Sequence, residues 1–183
     1  MVTLTDINGP PLDFSFKGLH CLDEMKTEKP RQGMRKYKRA ASGKYICTSV
    51  RLNNNLFQSV IGIHDVIHEL IEQPDKLTWL DLSFNRLSSL ANELTSLPNL
   101  KILYLHGNAL SDVNSVLRQL KTFEGLISLT LHGNPLEERK GYRNKILLGL
   151  PQLKSLDFNN ITPADRKRVA AQIKHPHSIA SRF

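Results

Sequence analysis

Two histidines recur within one phrase: His106 stands in YLHGNAL (104–110) and His132 in TLHGNPL (130–136), 26 residues apart. A repeated imidazole can be a metal ligand, or a base held by a partner. A second pair, His64 and His68 in HDVIHEL, stands at i and i+4 and resembles the H-E-x-x-H zinc motif. Two carboxylates, Asp81 in LTWLDLSFN and Asp157 in LKSLDFNN, hold equivalent places, where a hydrolytic pair could be sought. None of these sets is complete. In HDVIHEL the glutamate follows the second histidine, and no third ligand accompanies it. The two aspartates would lie roughly 15 Å apart at one strand spacing per repeat, too far for a glycosidase pair. His106 and His132 would lie about 5 Å apart on neighbouring strands. However, no Cys, Asp or Glu recurs in register to complete a metal site. A surface-lining, hydrogen-bonding role is expected for both. The sequence also lacks the phosphate-cradling G-x-x-x-x-G-K, the G-x-G-x-x-G turn and the G-x-S-x-G elbow. We therefore expect no enzyme, no metal and no cofactor.

The phrase that holds the histidines is part of a longer pattern. LKILYLHGNAL (100–110), LISLTLHGNPL (126–136) and LTWLDLSFNRL (77–87) all read L-x-x-L-x-L-x-x-N-x-L. A degenerate copy is CTSVRLNNNLF (47–57), and a fifth begins LKSLDF (153–158) and stops where Ile161 replaces the asparagine. Successive copies start 30, 23, 26 and 27 residues apart, which is the leucine-rich-repeat period. The x-L-x-L-x alternation predicts a short strand with leucine on its inner face. Asn55, Asn85, Asn108 and Asn134 are predicted to form a ladder of buried amides that satisfies backbone groups where the chain leaves each strand. Glycine beside the asparagine permits the tight turn. After each strand, apolar residues at helical spacing predict a convex return: Val60, Ile63, Ile67, Leu70 and Ile71, then Leu87, Leu90, Leu94 and Leu97, then Val113, Val116, Leu117 and Leu120. The fold class is α/β, a solenoid with parallel strands on its concave face and helices or turns on its convex face.

A solenoid exposes its core at both ends and needs caps. The stretch NPL…GYR…ILLGLPQLKSLDF resembles the C-terminal cap of the leucine-rich-repeat family typified by the phosphatase regulator Sds22 and the spliceosomal U2 A-prime protein. That resemblance implies that Tyr142, Ile146, Leu147 and Leu150 close the core and that Leu156 and Phe158 form the last strand. TPADRKRVAAQIK predicts a terminal helix, with Thr162 as N-cap and Pro163 at its first position. The ordered set PPLDFSF, RLNNN, LDLSFN, LYLHGN and LTLHGNP, over roughly residues 10–170, resembles a branch of this family whose members imply no activity. It implies a cytoplasmic protein of the cilium or flagellar axoneme.

The N-terminal forty-odd residues do not repeat, although Leu12, Phe14 and Phe16 alternate as one extended segment would. Between Lys26 and Lys44 lie eight cations against one acid, Glu28, so this segment carries nearly all of the formal charge of +8. It reads as a solvated basic linker. Its Arg31, Arg35, Lys36, Lys38 and Arg39 are candidates for electrostatic attachment to an acidic protein surface. Nucleic acid ranks last as the partner, because Tyr37 is the only interleaved aromatic. The expected organisation is an extended segment with basic linker over 1–44, the solenoid with its cap over 45–160, and a C-terminal helix and tail over 161–183. No run approaches the roughly 20 apolar residues of a membrane span, so no membrane partner is expected.

Solenoids bind partners on the concave face. There Trp79, Ile102 and Tyr104 cluster on two strands, with the composition of an interface hot spot. The candidate contact set is Trp79, Asp81, Phe84, Ile102, Tyr104, His106, Thr130 and His132. The competing expectation is that Trp79 packs under the N-terminal segment. The function expected is a monomeric scaffold or adaptor within a larger complex, its protein partner axonemal or microtubule-associated. The alternatives are an RNA-associated protein of the U2 A-prime kind and a phosphatase regulatory subunit.

Overall fold

The computed structural model describes residues 9–90 and 92–174. Seven strands form one sheet in sequence order: β1 (Leu12–Asp13), β2 (Ser49–Arg51), β3 (Trp79–Asp81), β4 (Ile102–Tyr104), β5 (Ser128–Thr130), β6 (Ser155–Leu156) and β7 (Asn159–Asn160). The first six are parallel, and β7 turns back antiparallel to β6. In register, Leu12, Val50, Leu80, Leu103, Leu129 and Leu156 form one inner row, all fully buried. The expected inner face is therefore the observed one. On the convex side lie α1 (Ile63–Leu70), α2 (Val113–Leu120), α3 (Tyr142–Gly149) and α4 (Pro163–Lys174). The second repeat returns through a single 3-10 segment, Asn92–Ser96, where a helix-spaced pattern stood in the sequence. Its period of 23 residues is the shortest, which leaves little chain for a full helix.

The asparagine ladder forms as expected. Each amide nitrogen donates to its own strand and to the strand before: Asn85 to Leu82 and Leu52, Asn108 to Leu105 and Leu82, Asn134 to Leu131 and Leu105. Each amide oxygen accepts a backbone N–H, from Phe57, Leu87 and Leu110 respectively. Just before each asparagine the chain passes through the left-handed region, at Asn54 (φ 57°), Phe84 (52°), Gly107 (67°) and Gly133 (67°). Glycine adopts this backbone without strain, and phenylalanine does not.

Residues 9–44 depart from expectation. Leu12-Asp13-Phe14-Ser15-Phe16 is a further turn of the solenoid, matching Leu80-Asp81-Leu82-Ser83-Phe84 in register. The match extends to side chains. The Asp13 carboxylate accepts from the Ser15 N–H and hydroxyl at 2.9 and 2.6 Å, as Asp81 does from Ser83 at 3.0 and 2.6 Å. Phe16 (φ 57°) takes the place of Phe84. Lys17 stands where the ladder asparagine belongs, which hides the copy in the sequence. Asn55 compensates, accepting from the Lys17 and Leu19 N–H groups and donating to the Phe14 carbonyl. The sheet thus runs across the expected 44/45 boundary.

The basic segment is not a free linker either. Arg31 N–H donates to the Asp13 carbonyl at 2.6 Å. The Tyr37 hydroxyl accepts from the Asp13 N–H and donates to the Arg31 carbonyl. These bonds satisfy the outer edge of β1, a position that otherwise invites intermolecular pairing. Tyr37 packs edge-on against Tyr45, with ring centroids 5.4 Å apart, and the Arg39 guanidinium lies 3.9 Å from the centre of the Tyr45 ring.

At the other end Tyr142, Ile146, Leu147 and Leu150 are buried, as the family resemblance implied. Thr162 and Asp165 form a reciprocal cap at the start of α4, and Val169 is buried. The polar tail expected after this helix, residues 175–183, lies outside the described residues. The Phe158 expectation is corrected: the strand ends at Leu156, and Asp157 (φ 53°) and Phe158 (φ 61°) make a two-residue turn into β7. Among the described residues no further repeat follows for Phe158 to pack against, so folding the chain back protects the edge. The Phe158 ring is left 60% exposed on the concave side.

Candidate functional site

The outer row of the sheet presents Arg51, Trp79, Ile102 and Tyr104, and beyond the strand ends the turns present Phe84, His106, His132 and Phe158. These rings touch in a chain. Trp79 meets Tyr104 edge-on at 5.9 Å, and Tyr104 meets Phe158 at 5.3 Å. Phe158 lies 5.6 Å from His106 and 5.7 Å from His132. The two imidazoles stack nearly parallel at 4.7 Å, close to the expected strand spacing, and Phe84 closes the row edge-on to His106 at 5.0 Å. The Phe84 ring lies across Gly107. A Cβ at that glycine would come within 2.6 Å of the ring, so Gly107 allows both the turn and this packing.

The histidine pair is held by hydrogen bonds. His106 Nδ1 lies 2.8 Å from the Thr130 hydroxyl, and His132 Nδ1 lies 3.4 Å from Asp157 Oδ1. Burial pushes the His106 imidazole below its ordinary pKa, and the neighbouring His132 adds to this, while Asp81 and Asp157 pull the other way. Burial also raises the Tyr104 phenol, so the ring keeps its proton and stays uncharged. Among the described residues no group of three or more His, Cys, Asp or Glu could hold a metal ion. No helix among them is long and apolar enough to cross a membrane. His64 and His68 do face one another on α1, stacked at 4.1 Å, with Asp65 beside His64.

The predicted contact set divides. Trp79, Ile102, Tyr104, His106 and His132 are half-buried and Phe84 is 53% exposed, so all six reach the concave surface. Asp81 and Thr130 do not. Thr130 is fully buried, and its hydroxyl serves His106 and the Leu105 N–H. Asp81 is turned into its own strand, where Ser83 occupies the carboxylate. A polar side chain in an outward slot therefore folds back whenever a neighbouring backbone group offers a bond. Among the described residues the N-terminal segment does not cover Trp79: Leu12 and Phe14 enter the core beside β2, and Trp79 meets Arg51, whose guanidinium lies 5.2 Å from the ring centre. The Trp79 indole N–H is shielded from solvent without an acceptor among the described residues.

Phe158 and Phe16 are surface groups that carry no expectation from the sequence, and Arg51, in an outward strand slot, is not among the candidate contacts. The near-identity of LDFSF (12–16) and LDLSF (80–84) was the signal for Phe16. Nothing in the sequence marked the turn at Phe158. Of the basic candidates, Arg31, Arg35, Lys36, Lys38 and Arg39 are all exposed. Arg31 and Arg39 are engaged within the chain, Arg31 with the Ser15 carbonyl and hydroxyl and Arg39 with the Gly43 carbonyl.

Comparison with known proteins bears on this arrangement. A family model described as leucine-rich repeat matches residues 52–180. Leucine-rich repeat-containing protein 51 of Macaca mulatta is 44% identical over 162 residues, covering 88% of this chain and 84% of that protein. The Homo sapiens protein of the same name matches over the same shares at the same identity. Among solved structures, the crystal structure of the Drosophila melanogaster SNF/U2A′ complex aligns with a TM-score of 0.61 at 21% identity. It covers 76% of this chain and 87% of that one, a likeness of fold.

Proposed function

Because this chain belongs to the leucine-rich-repeat family, we propose that it is a non-catalytic scaffold or adaptor that grips a protein partner on its concave face. The observation that carries this is the continuous row of rings from Trp79 through Tyr104, Phe158 and the stacked histidines to Phe84. Exposed apolar surface of this kind is a common mark of an interaction site in a folded chain. Aromatic residues at the centre of a patch contribute most of the binding energy in many interfaces. Two of the rings, Phe84 and Phe158, sit on left-handed backbone that disfavours phenylalanine. Strain of that sort tends to collect where a side chain has a task.

The assembly we assign to it is ciliary, axonemal or cytoskeletal, and the support is the ordered set of sequence phrases alone. Arg35, Lys36 and Lys38 at the N-terminal end would add electrostatic attachment to that assembly, supported by their exposure. The test is crosslinking mass spectrometry on the native complex from ciliated cells, run alongside a Trp79→Ala, Tyr104→Ala double variant. Axonemal proteins crosslinked within residues 79–106, and their loss from the double variant, are the expected outcome. Retention of every stable partner at unchanged affinity by that variant would overturn the reading.

A further inference from the structure

Charge is distributed unevenly along the concave face. Each carboxylate on it is already engaged by the chain's own turns: Asp13 by Ser15, Asp81 by Ser83, and Asp157 by the Leu131 and His132 N–H groups and the Tyr142 hydroxyl. Arg51, at the β1–β2 end, is held more loosely: its side chain is 44% exposed, and its one ion pair among the described residues, to Asp13, is long at 3.9 Å. Arg31, Arg35 and Arg51 line an open groove of about 220 Å³ together with Pro11, Met34, Tyr37 and one carboxylate, Asp13, which Ser15 already engages. From β4 to the β6–β7 turn the surface changes character. It carries Tyr104, His106, His132 and Phe158, with Phe84 of the β3 turn packed against His106, and its carboxylate Asp157 is turned inward.

We propose that the concave face takes a polypeptide segment of polarised composition, acidic where it crosses β1 and β2 and apolar or aromatic where it crosses β4 to β6. This inference rests on the concave-face reading and names the class of partner. Five strand spacings separate β1 from β6, roughly 24 Å, the length of about 16 residues of helix. A carboxylate at the cationic end meets guanidiniums that can bond it in two places at once. An apolar side chain at the other end displaces water from rings that already form a surface. A nucleic acid strand fits less well. It carries a phosphate at every step, and the rings named on the aromatic half include no lysine or arginine to meet its phosphates.

The experiment selects from a displayed library of random 16-residue peptides against the full chain, then measures one selected synthetic peptide by fluorescence anisotropy. A mixed-sequence 12-nucleotide RNA serves as a second probe. Selected peptides should concentrate Asp and Glu in one half and large apolar residues in the other. An Arg35→Glu, Arg51→Glu double variant should weaken the peptide at least tenfold, with the loss shrinking as salt rises. Phe158→Gly should weaken it by a similar factor at every salt concentration. That variant relieves the left-handed backbone, and an unchanged thermal midpoint will certify its fold.

Peptides that still need Trp79 and Tyr104 but show no acidic half would overturn the polarity and leave the concave-face reading standing. Selection of nothing that responds to Trp79→Ala would overturn both. RNA bound more tightly than the peptide, and released by the Arg35→Glu, Arg51→Glu variant, would replace the polypeptide with a nucleic acid.

Discussion

The two ends of this solenoid close by different means. At the N-terminal end β1 adds its own backbone to the sheet, buries Leu12 and Phe14, and has its outer edge satisfied by Arg31 and Tyr37. At the C-terminal end the edge is folded back as a hairpin, and the chain behind it is held by buried or half-buried polar side chains. Tyr142 donates to Asp157 at 3.0 Å, while the Arg166 guanidinium gathers the carbonyls of Leu147, Leu150 (3.2 Å) and Leu153 (2.8 Å). Both ends bury apolar side chains, and the C-terminal end adds a network of polar side chains beneath its hairpin. The difference follows from what each end still has to satisfy. The first strand meets a complete next repeat and need only fill its core. The last strand stops at Leu156, so the Asp157 carboxylate accepts the Leu131 and His132 N–H groups where a continuing strand would have offered carbonyls, and Arg166 bonds carbonyls at and beyond the end of α3.

Four sets of variants bear on that contrast, and the largest effect should come from the cores. Phe14→Ala removes a fully buried ring at the first end and should lower unfolding free energy by about 3–5 kcal/mol. Arg166→Ala strips a charged donor from three carbonyls and should cost about 2–3 kcal/mol. Both are read from denaturant midpoints. Equal losses in which Arg166→Met restores stability would mean that packing closes both ends.

Next come the two tyrosine hydroxyls. Tyr142→Phe deletes a bond to a carboxylate beneath a nearly buried ring and should cost about 1–2 kcal/mol. Tyr37→Phe, at a half-exposed position, should cost about 1 kcal/mol or less. The reverse ranking in thermal melts would place the polar network at the wrong end.

Smaller still is the response of the strained turns. Phe84→Gly and Phe158→Gly exchange a disfavoured left-handed backbone for one that glycine adopts freely. Stability should stay within about 1 kcal/mol of the parent. If calorimetry shows either variant losing several kcal/mol, its ring is a core element and not a surface one.

The smallest effect is titration of His106. His106 is held below the ordinary histidine value in the folded chain. The unfolded chain therefore takes up the proton more readily, and stability rises with pH across that range. The contribution is complete above about pH 6.5 and fades as pH falls through the lower folded value. His106→Gln should flatten that slope in urea melts taken between about pH 7 and pH 5. A slope that survives the substitution would assign it to another group.

Much of this was legible from the order of residues alone. The repeats, their inner leucines, the asparagine ladder and the outward Trp79 and Tyr104 all follow from a period and an alternation, because each repeat uses the same local geometry; the buried cap residues come from the family resemblance instead. The sequence also carried the additional N-terminal turn as LDFSF beside LDLSF, concealed by one lysine in the asparagine slot. What it could not carry is whatever depends on a neighbour from another repeat. Asp81 and Thr130 occupy outward slots yet bond inward, because partners that the three-dimensional stacking or the turn brings close are better acceptors and donors than water. The basic segment lies against β1 because an unpaired sheet edge offers it an N–H and a carbonyl. Phe158 reaches the concave face because the stack ends there and the chain must turn back. Periodicity determines the framework of a solenoid; its ends, and the side chains left free to meet a partner, are decided only when the repeats are packed together.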